Sequence, residues 1–573
     1  MFHRRDILKA ALAAAALPAL KLPAHAAPAR RFVDIHCHFF NAADLPVRGF
    51  LQRVVLSDYA AGLPQSAAGT PSQSVWKGLA AKLTDLILKY EAPAAQKELA
   101  CLKDASACPG YNAGGPQARG LAKMQKSGLP DTGGGKAIAE VLVEHYRARG
   151  PQPKSDMPIA KQLDSGVDTD AFVDFVLKEM EMAGDGAPGA SSRGMKSLGS
   201  SLSNAAAAVG AYIASGRSTF SRYFTWGELL VGYRQSIIET YYSLYDPQNT
   251  RIILTAPAIV DFNYWLQDQT PSPVKDQVEL MSALSLRQPR PMHGFVAFDP
   301  LREIRRKPDE PSPLAIVQEA VAKQGFLGVK LYSPMGFKPI GNATQSVSFP
   351  AYASMNEPGF GAALDKALGT LYAWCEENEV PIVAHTADTQ AAGPGFGTRA
   401  EPKLWEKVLT KYPKLKLDFA HFGLFTQALN LADAPKQFGK TWESEIGAYI
   451  KGRRFPNVYT DISYFYWVLD GSAEKEHVDA VKKLFAKYFE ADPHCERLMY
   501  GTDWNMTGRA QGAAQYVDTV EAFFRGLGLN ERQLDNLFHK NALRFLGLDR
   551  PGKAEARLKS FYEAAGKPFP AFA

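Results

Sequence analysis

Phe32-Val33-Asp34-Ile35-His36-Cys37-His38-Phe39 is a short, largely apolar run carrying two histidines at i and i+2. Side chains alternate across a strand, so His36 and His38 are expected on one face and Ile35 and Cys37 on the other. Seven further runs of this kind follow, at Arg251–Val260, His293–Phe298, Leu327–Tyr332, Pro381–His385, Leu415–His421, Val458–Ile462 and Leu498–Asp503. Amphipathic helical stretches separate the later ones, at Leu314–Lys323, Gly361–Asn378, Pro402–Lys411, Trp442–Lys451, Glu474–Phe489 and Ala514–Arg525. Parallel neighbours need crossovers of this length, so the pattern predicts an α/β fold, a (β/α)8 TIM barrel. An open doubly wound sheet is the alternative, and it gives no reason for the polar residues that end the runs.

Those residues form a set. Pro381-Ile382-Val383-Ala384-His385 and Leu417-Asp418-Phe419-Ala420-His421 end in histidine, and Leu498-Met499-Tyr500-Gly501-Thr502-Asp503 ends in aspartate. Barrel active sites lie at the C-terminal ends of strands. Core packing produces an isolated His-x-His often, but the chain has only 11 histidines, and four at such ends exceed what packing explains. Two imidazoles side by side on a strand can grip one divalent cation through neutral ring nitrogens.

His-x-His on the first run, histidines ending the fifth and sixth, and aspartate ending the eighth resemble the amidohydrolase superfamily of metal-dependent hydrolases. The forms DIHCHFF, GVKLYSPMGF, AHFG and YGTDW, with Asn541-Ala542-Leu543-Arg544-Phe545-Leu546, are most similar to its amidohydrolase-related (amidohydrolase 2) branch. That branch also holds decarboxylases of the aminocarboxymuconate-semialdehyde type. The resemblance covers most of residues 30–548. It implies His36, His38, His385 and Asp503 as ligands of one divalent ion, zinc by expectation, with His421 near the bound water and Asp503 relaying its proton. In binuclear relatives a lysine at the place of Lys330 is carbamylated and bridges two metals; in mononuclear ones a residue there contacts substrate. The implied reaction is hydrolysis of an amide, lactone or ester. Non-oxidative decarboxylation is the alternative, and a non-catalytic binding protein is a third reading that an intact ligand set opposes.

Lys330 and Tyr332 share a face, and a lysine inside a barrel is costly unless paired; Asp34 and Asp299 are its candidate partners. Tyr332, Arg302 and Trp504 are further candidates for substrate contact. Arg302 suits a carboxylate held through two bonds, or equally a structural ion pair. Asp261, Asp299, Asp461 and Tyr464 follow other runs and line either the pocket or the core. No Gly-rich phosphate loop, Gly-x-Ser-x-Gly elbow or Cys-x-x-Cys pair occurs, which removes those chemistries.

The chain has 573 residues, 46% hydrophobic and 22% charged, the make-up of a packed protein. Its net charge is +6, and Arg4, Arg5, Lys9 and Lys21 against Asp6 place half of that before residue 27. So little remains that nucleic acid is not an expected partner. Residues 1–26 carry Arg4-Arg5, an Ala/Leu stretch too short to span a membrane, and Ala24-His25-Ala26, the pattern of a twin-arginine-type signal peptide. Export to the periplasm by the cell's export machinery, without stable membrane insertion, is the expectation. The barrel is expected over 27–550, with a C-terminal tail at 551–573. Residues 44–245 read as a large, mainly helical insertion after strand one, either a lid over the pocket or the contact of a homo-oligomer. A small molecule is the expected substrate. Cys101 and Cys108 sit close enough in sequence to bridge.

Overall fold

The computed structural model describes residues 29–50, 92–104, 106, 108, 111, 230, 232–344, 357–388, 392, 395–425, 441–465, 475–508 and 512–572. The expected signal peptide and most of 44–245 lie outside the described residues. The fold is α/β with parallel sheets. β1 (Phe32–Cys37) pairs with β2 (Ile252–Pro257). A second sheet runs in chain order through β3 (Phe295–Ala297), β4 (Gly328–Leu331), β5 (Ile382–His385), β6 (Leu417–Ala420), β7 (Val458–Asp461) and β8 (Leu498–Met499). Every observed strand lies within one of the eight runs read from the sequence.

Backbone bonds also pass between the two sheets. Ile259 N donates to Phe295 O at 2.9 Å and Ile35 N donates to Tyr500 O at 3.2 Å. Gly294 is needed where β2 approaches β3, since a Cβ there would lie 1.7 Å from Pro257 O. Among the described residues an α-helix lies on the approach to each strand from β2 onward: α1 (Arg234–Tyr245), α2 (Val274–Ser285), α3 (Pro313–Lys323), α4 (Phe360–Asn378), α5 (Glu406–Lys411), α6 (Trp442–Ile450) and α7 (Lys475–Ala491), with shorter helices beside some of them. α8 (Tyr516–Gly526) follows β8, and α9 (Asn541–Leu546) and α10 (Lys553–Ala564) close the chain. Their starts carry local signals: Ser312 accepts from Ala315 N before Pro313, and Thr441 and Ser444 cap α6 reciprocally.

Apolar residues divide into two main clusters. The larger joins the helices to one face of the strands. The second draws Val33 and Ile35 from β1, Leu254 and Ala256 from β2, Phe295, Val383, Ala420, Tyr459 and Met499, with Leu543, Phe545 and Leu558 from the C-terminal helices. Ile35 therefore packs with the second cluster while Cys37 packs with the larger one, against the expectation that the two share a face. The cause is a register shift between Asp34 and Cys37, which interrupts the simple alternation on which that expectation rested. Within 551–573, α10 is a packed helix whose Tyr562 hydroxyl meets His293 Nε2 at 2.8 Å.

Two described parts of 44–245 are tied to the strands. Buried Arg234 bonds Asp44, Glu98, Ser272 and Pro93 O, joining α1 to a helix at Ala95–Lys103. Cys101 of that helix forms a disulfide with Cys108. No helix among the described residues is long and apolar enough to cross a membrane.

Candidate metal centre

The polar residues singled out in the sequence meet at the C-terminal strand ends. From β1, His36 points its Nδ1 at Asp461 Oδ2, 3.0 Å away, and at Ser463 Oγ, 2.9 Å away. Its Nε2 faces Lys330 Nζ at 2.9 Å. His38 donates Nδ1–H to Ala258 O at 2.7 Å, which leaves Nε2 as the acceptor nitrogen, 3.8 Å from Asp503 Oδ1. One ligand atom from each of His36, His38 and Asp503 lies within 4.8 Å of the others, and all three residues are buried. A carbonyl or carboxylate on each Nδ1 is the arrangement that turns a histidine's other nitrogen to a cation, so the donor set fits a divalent ion.

Burial keeps these imidazoles neutral. It lowers His36 to about 4 and His38 to about 3, helped in both by the Lys330 charge. Lys330 is itself lowered by burial, against the pull of Asp461, Asp503 and Asp418. Burial would raise Asp461, but His36 and Ser463 bond its charged form and hold it well below the carboxylate range. Neither Asp34 nor Asp299 pairs with Lys330. Asp34 accepts from Thr502 N, Thr502 Oγ1 and Tyr241 Oη at 2.9, 2.6 and 2.8 Å, which anchors β1 to the segment after β8. Asp299 accepts from Leu301 N and Trp265 Nε1 at the start of a helix.

His385 stands beside this triad. Its Nδ1 meets His421 Nε2 at 3.1 Å, and its ring stacks on Tyr332 with centroids 4.0 Å apart. His421 in turn holds Ser463 through Nδ1, 2.9 Å from the hydroxyl. A line of groups therefore runs from His385 through His421 and Ser463 to Asp461 and His36. The turns that carry them are strained: His421, Tyr464 and Asp503 have φ of 68°, 61° and 44°. Gly501 makes room, since a Cβ there would approach His36 Cβ to 3.0 Å and Ser463 Cβ to 3.1 Å.

The other candidates take different places. Arg302 pairs with Asp261 at 2.7 Å, the structural ion pair of the two readings. Trp504 is buried against Phe39 and Tyr241, and its indole N–H donates to His38 O at 2.7 Å. Tyr332 and Lys330 line a small cavity with Asp261, Asp299, Trp265 and Phe337. Sequence reasoning passed over Ser463 and the Ala258 carbonyl. Ser463 was findable as the first polar residue after the β7 run; nothing local marks Ala258.

A family model described as amidohydrolase matches residues 267–548, a span that begins after β1 and β2 and contains Lys330, His385, His421, Asp461 and Asp503. Several solved structures are similar. An uncharacterised TIM-barrel protein of Bordetella bronchiseptica is 17% identical, covering 55% of this chain and 84% of its own, with a TM-score of 0.32. An amidohydrolase of Burkholderia multivorans with bound zinc is 15% identical over 51% and 83%, TM-score 0.32. A dihydroorotase of Campylobacter jejuni is 14% identical over 54% and 78%, TM-score 0.30. Likenesses of this size carry no argument about substrate or mechanism. No curated protein matches the sequence.

Proposed function

We propose that this chain, a member of the amidohydrolase family through residues 267–548, is an exported hydrolase that cleaves a C–N or C–O bond of a small amide, lactone or ester. The observation that carries the reading is the convergence of His36, His38 and Asp503, with each histidine's Nδ1 already committed to a protein acceptor. The cross-sheet bonds and the second cluster support closure of the eight strands into one barrel. The family is metal-dependent, and His36, His38 and Asp503 would hold one divalent ion, zinc by choice of ligands, with His385 as the fourth donor through Nε2. Such an ion supplies a water acidified from a pKa of 15.7 towards about 7 and a polarised carbonyl.

The chain's own groups provide the rest. Asp503 accepts the proton of the attacking water and returns it to the leaving nitrogen or oxygen. His421, braced by Ser463, orients the reacting centre alongside His385. Lys330 projects a cation into the same space, placed to hold a substrate oxygen, while Tyr332, Trp265 and Phe337 offer flat apolar walls. Removal of residues 1–26 in the periplasm and a covering role for 44–245 belong to the same proposal. The test is to load the purified protein with zinc and offer panels of amides, lactones, esters and aromatic carboxylic acids. Hydrolysis products with metal-dependent rates support the reading, and release of carbon dioxide in their place would assign a decarboxylase.

A further inference from the structure

The chain leaves β6 through a turn of the less favoured hand. His421, Phe422, Gly423, Leu424 and Phe425 follow one another with φ of 68°, 47°, 73°, 56° and 57°. All but Gly423 carry side chains that resist this region, so the turn persists only where its surroundings fix it. At its first residue, His421 N donates to Asp461 Oδ1 at 3.0 Å. At its last, Phe425 N donates to Glu443 Oε1 at 2.9 Å. The proposed chemistry uses Asp461 and gives Glu443 no task.

Glu443 lies in the first turn of α6 and is 2% exposed. A Cβ at Gly423 would stand 2.8 Å from Glu443 Oε1 and 3.1 Å from Trp442 Cβ, so the turn is seated on α6 as closely as glycine permits. Aromatic packing holds it elsewhere. Phe422 meets Phe485 and Tyr488 of α7 with ring centroids 5.4 and 5.1 Å apart, and Phe425 meets Phe465 at 5.7 Å. Apolar burial is non-directional and sets where the turn lies; a hydrogen bond to a backbone amide is directional and sets its hand.

That hand decides where His421 points. With φ of 68°, its Nε2 stands 3.1 Å from His385 Nδ1 and its Nδ1 2.9 Å from Ser463 Oγ. Without Glu443, the buried Phe425 N–H loses this acceptor, and the strained turn gains by relaxing towards ordinary backbone.

We infer that Glu443 is a positioning residue whose carboxyl oxygen locks the left-handed turn and so fixes the His421 ring against His385 and Ser463. Burial raises the Glu443 carboxyl to about 7, and its ionised and protonated forms both present an oxygen to Phe425 N. The claim about the turn stands on geometry; its consequence for catalysis rests on the task given to His421 above.

Three variants of the full mature chain test it. E443Q keeps an acceptor oxygen at the same reach, E443D withdraws it by one methylene while keeping a carboxyl, and E443A removes it. The first readout is the ring resonances of His421 in protein labelled at histidine, identified by their absence from H421N. They are expected to shift in E443D and E443A and to return to their wild-type positions in E443Q, with those of His293 unmoved throughout. The second is steady-state kinetics of the zinc-loaded protein. Misplacing a reacting group by about 1 Å can cost about 10²-fold, so kcat is expected to fall about 10–100-fold in E443D and E443A and to recover to within about threefold in E443Q. KM and zinc affinity are expected to stay within about threefold of wild type in all three, which a general loss of structure would not allow. Wild-type His421 resonances in both E443D and E443A would overturn the inference, as would resonances displaced in E443Q as far as in E443A. Shifted resonances with unchanged kcat would overturn its consequence for catalysis. If E443A does not fold, E443D and E443Q decide between them. If the wild type turns over no substrate of the panel, the proposed function fails while the resonances still decide what holds His421.

Discussion

The two ends of the strands treat buried histidine in opposite ways. At the end where the strands begin, His293 donates Nδ1–H to Gly325 O at 2.8 Å and receives the Tyr562 hydroxyl on Nε2 at 2.8 Å, so both nitrogens end on neutral groups of the fold. At the opposite end, His36 and His38 also commit Nδ1 to protein acceptors, but their Nε2 atoms face Lys330 and Asp503. Burial lowers His293 to about 4, much as it lowers His36 and His38, so depth and titration do not distinguish them. What differs is the company of the second nitrogen. A histidine with two neutral partners is finished structure, and one left facing charge is available for chemistry.

Substitutions can break that contrast. Asp503→Asn has the largest expected effect: a group that moves the proton of water is lost, and kcat/KM should fall by about 10²–10⁴-fold with folding intact by circular dichroism. Asp461→Asn comes next, since the amide cannot accept from His36 Nδ1 and backbone donors equally well. Zinc affinity should drop about 10–100-fold by chelator competition. At the other end, Tyr562→Phe removes one hydrogen bond to His293, so we expect roughly 1 kcal/mol less stability in denaturant titration and no change in kcat. A loss of activity in Tyr562→Phe would erase the distinction between the two ends.

The pH dependence of the metal-free protein sharpens the same comparison with the smallest signal. His293 is about 4 when folded and near 6.5 when unfolded, so the unfolded chain binds the extra proton first. Its contribution to stability is whole above pH 6.5 and is lost as pH falls from there through about 4. Melting temperature should decline across that window, and His293→Leu should decline less steeply than wild type. Equal slopes would mean that His293 is not held neutral by the fold.

Much of this was legible from residue order. His36, His38, His385, His421 and Asp503 announce themselves because each polar group ends an apolar run, a local signal that survives any detail of packing. The eight strands were legible for the same reason. Ile35 was misread because the shift in β1 register belongs to its pairing with β2, whose partner residues lie more than 200 positions away. Distance in the chain also hid Ala258, whose carbonyl chooses the His38 tautomer from 220 residues off, and left open whether Arg302 would meet a substrate or Asp261. Sequence exposes residue types at strand ends; hydrogen-bond partners between strands come only with the fold.

The central claim is that His36, His38 and Asp503 share one ion, and anomalous diffraction at the zinc edge from crystals of the zinc-loaded mature protein tests it most directly. One strong peak is predicted about 2.0–2.2 Å from a ring nitrogen of His36, a ring nitrogen of His38 and a carboxylate oxygen of Asp503. A peak bound elsewhere, or none at these three residues in fully loaded protein, would contradict it.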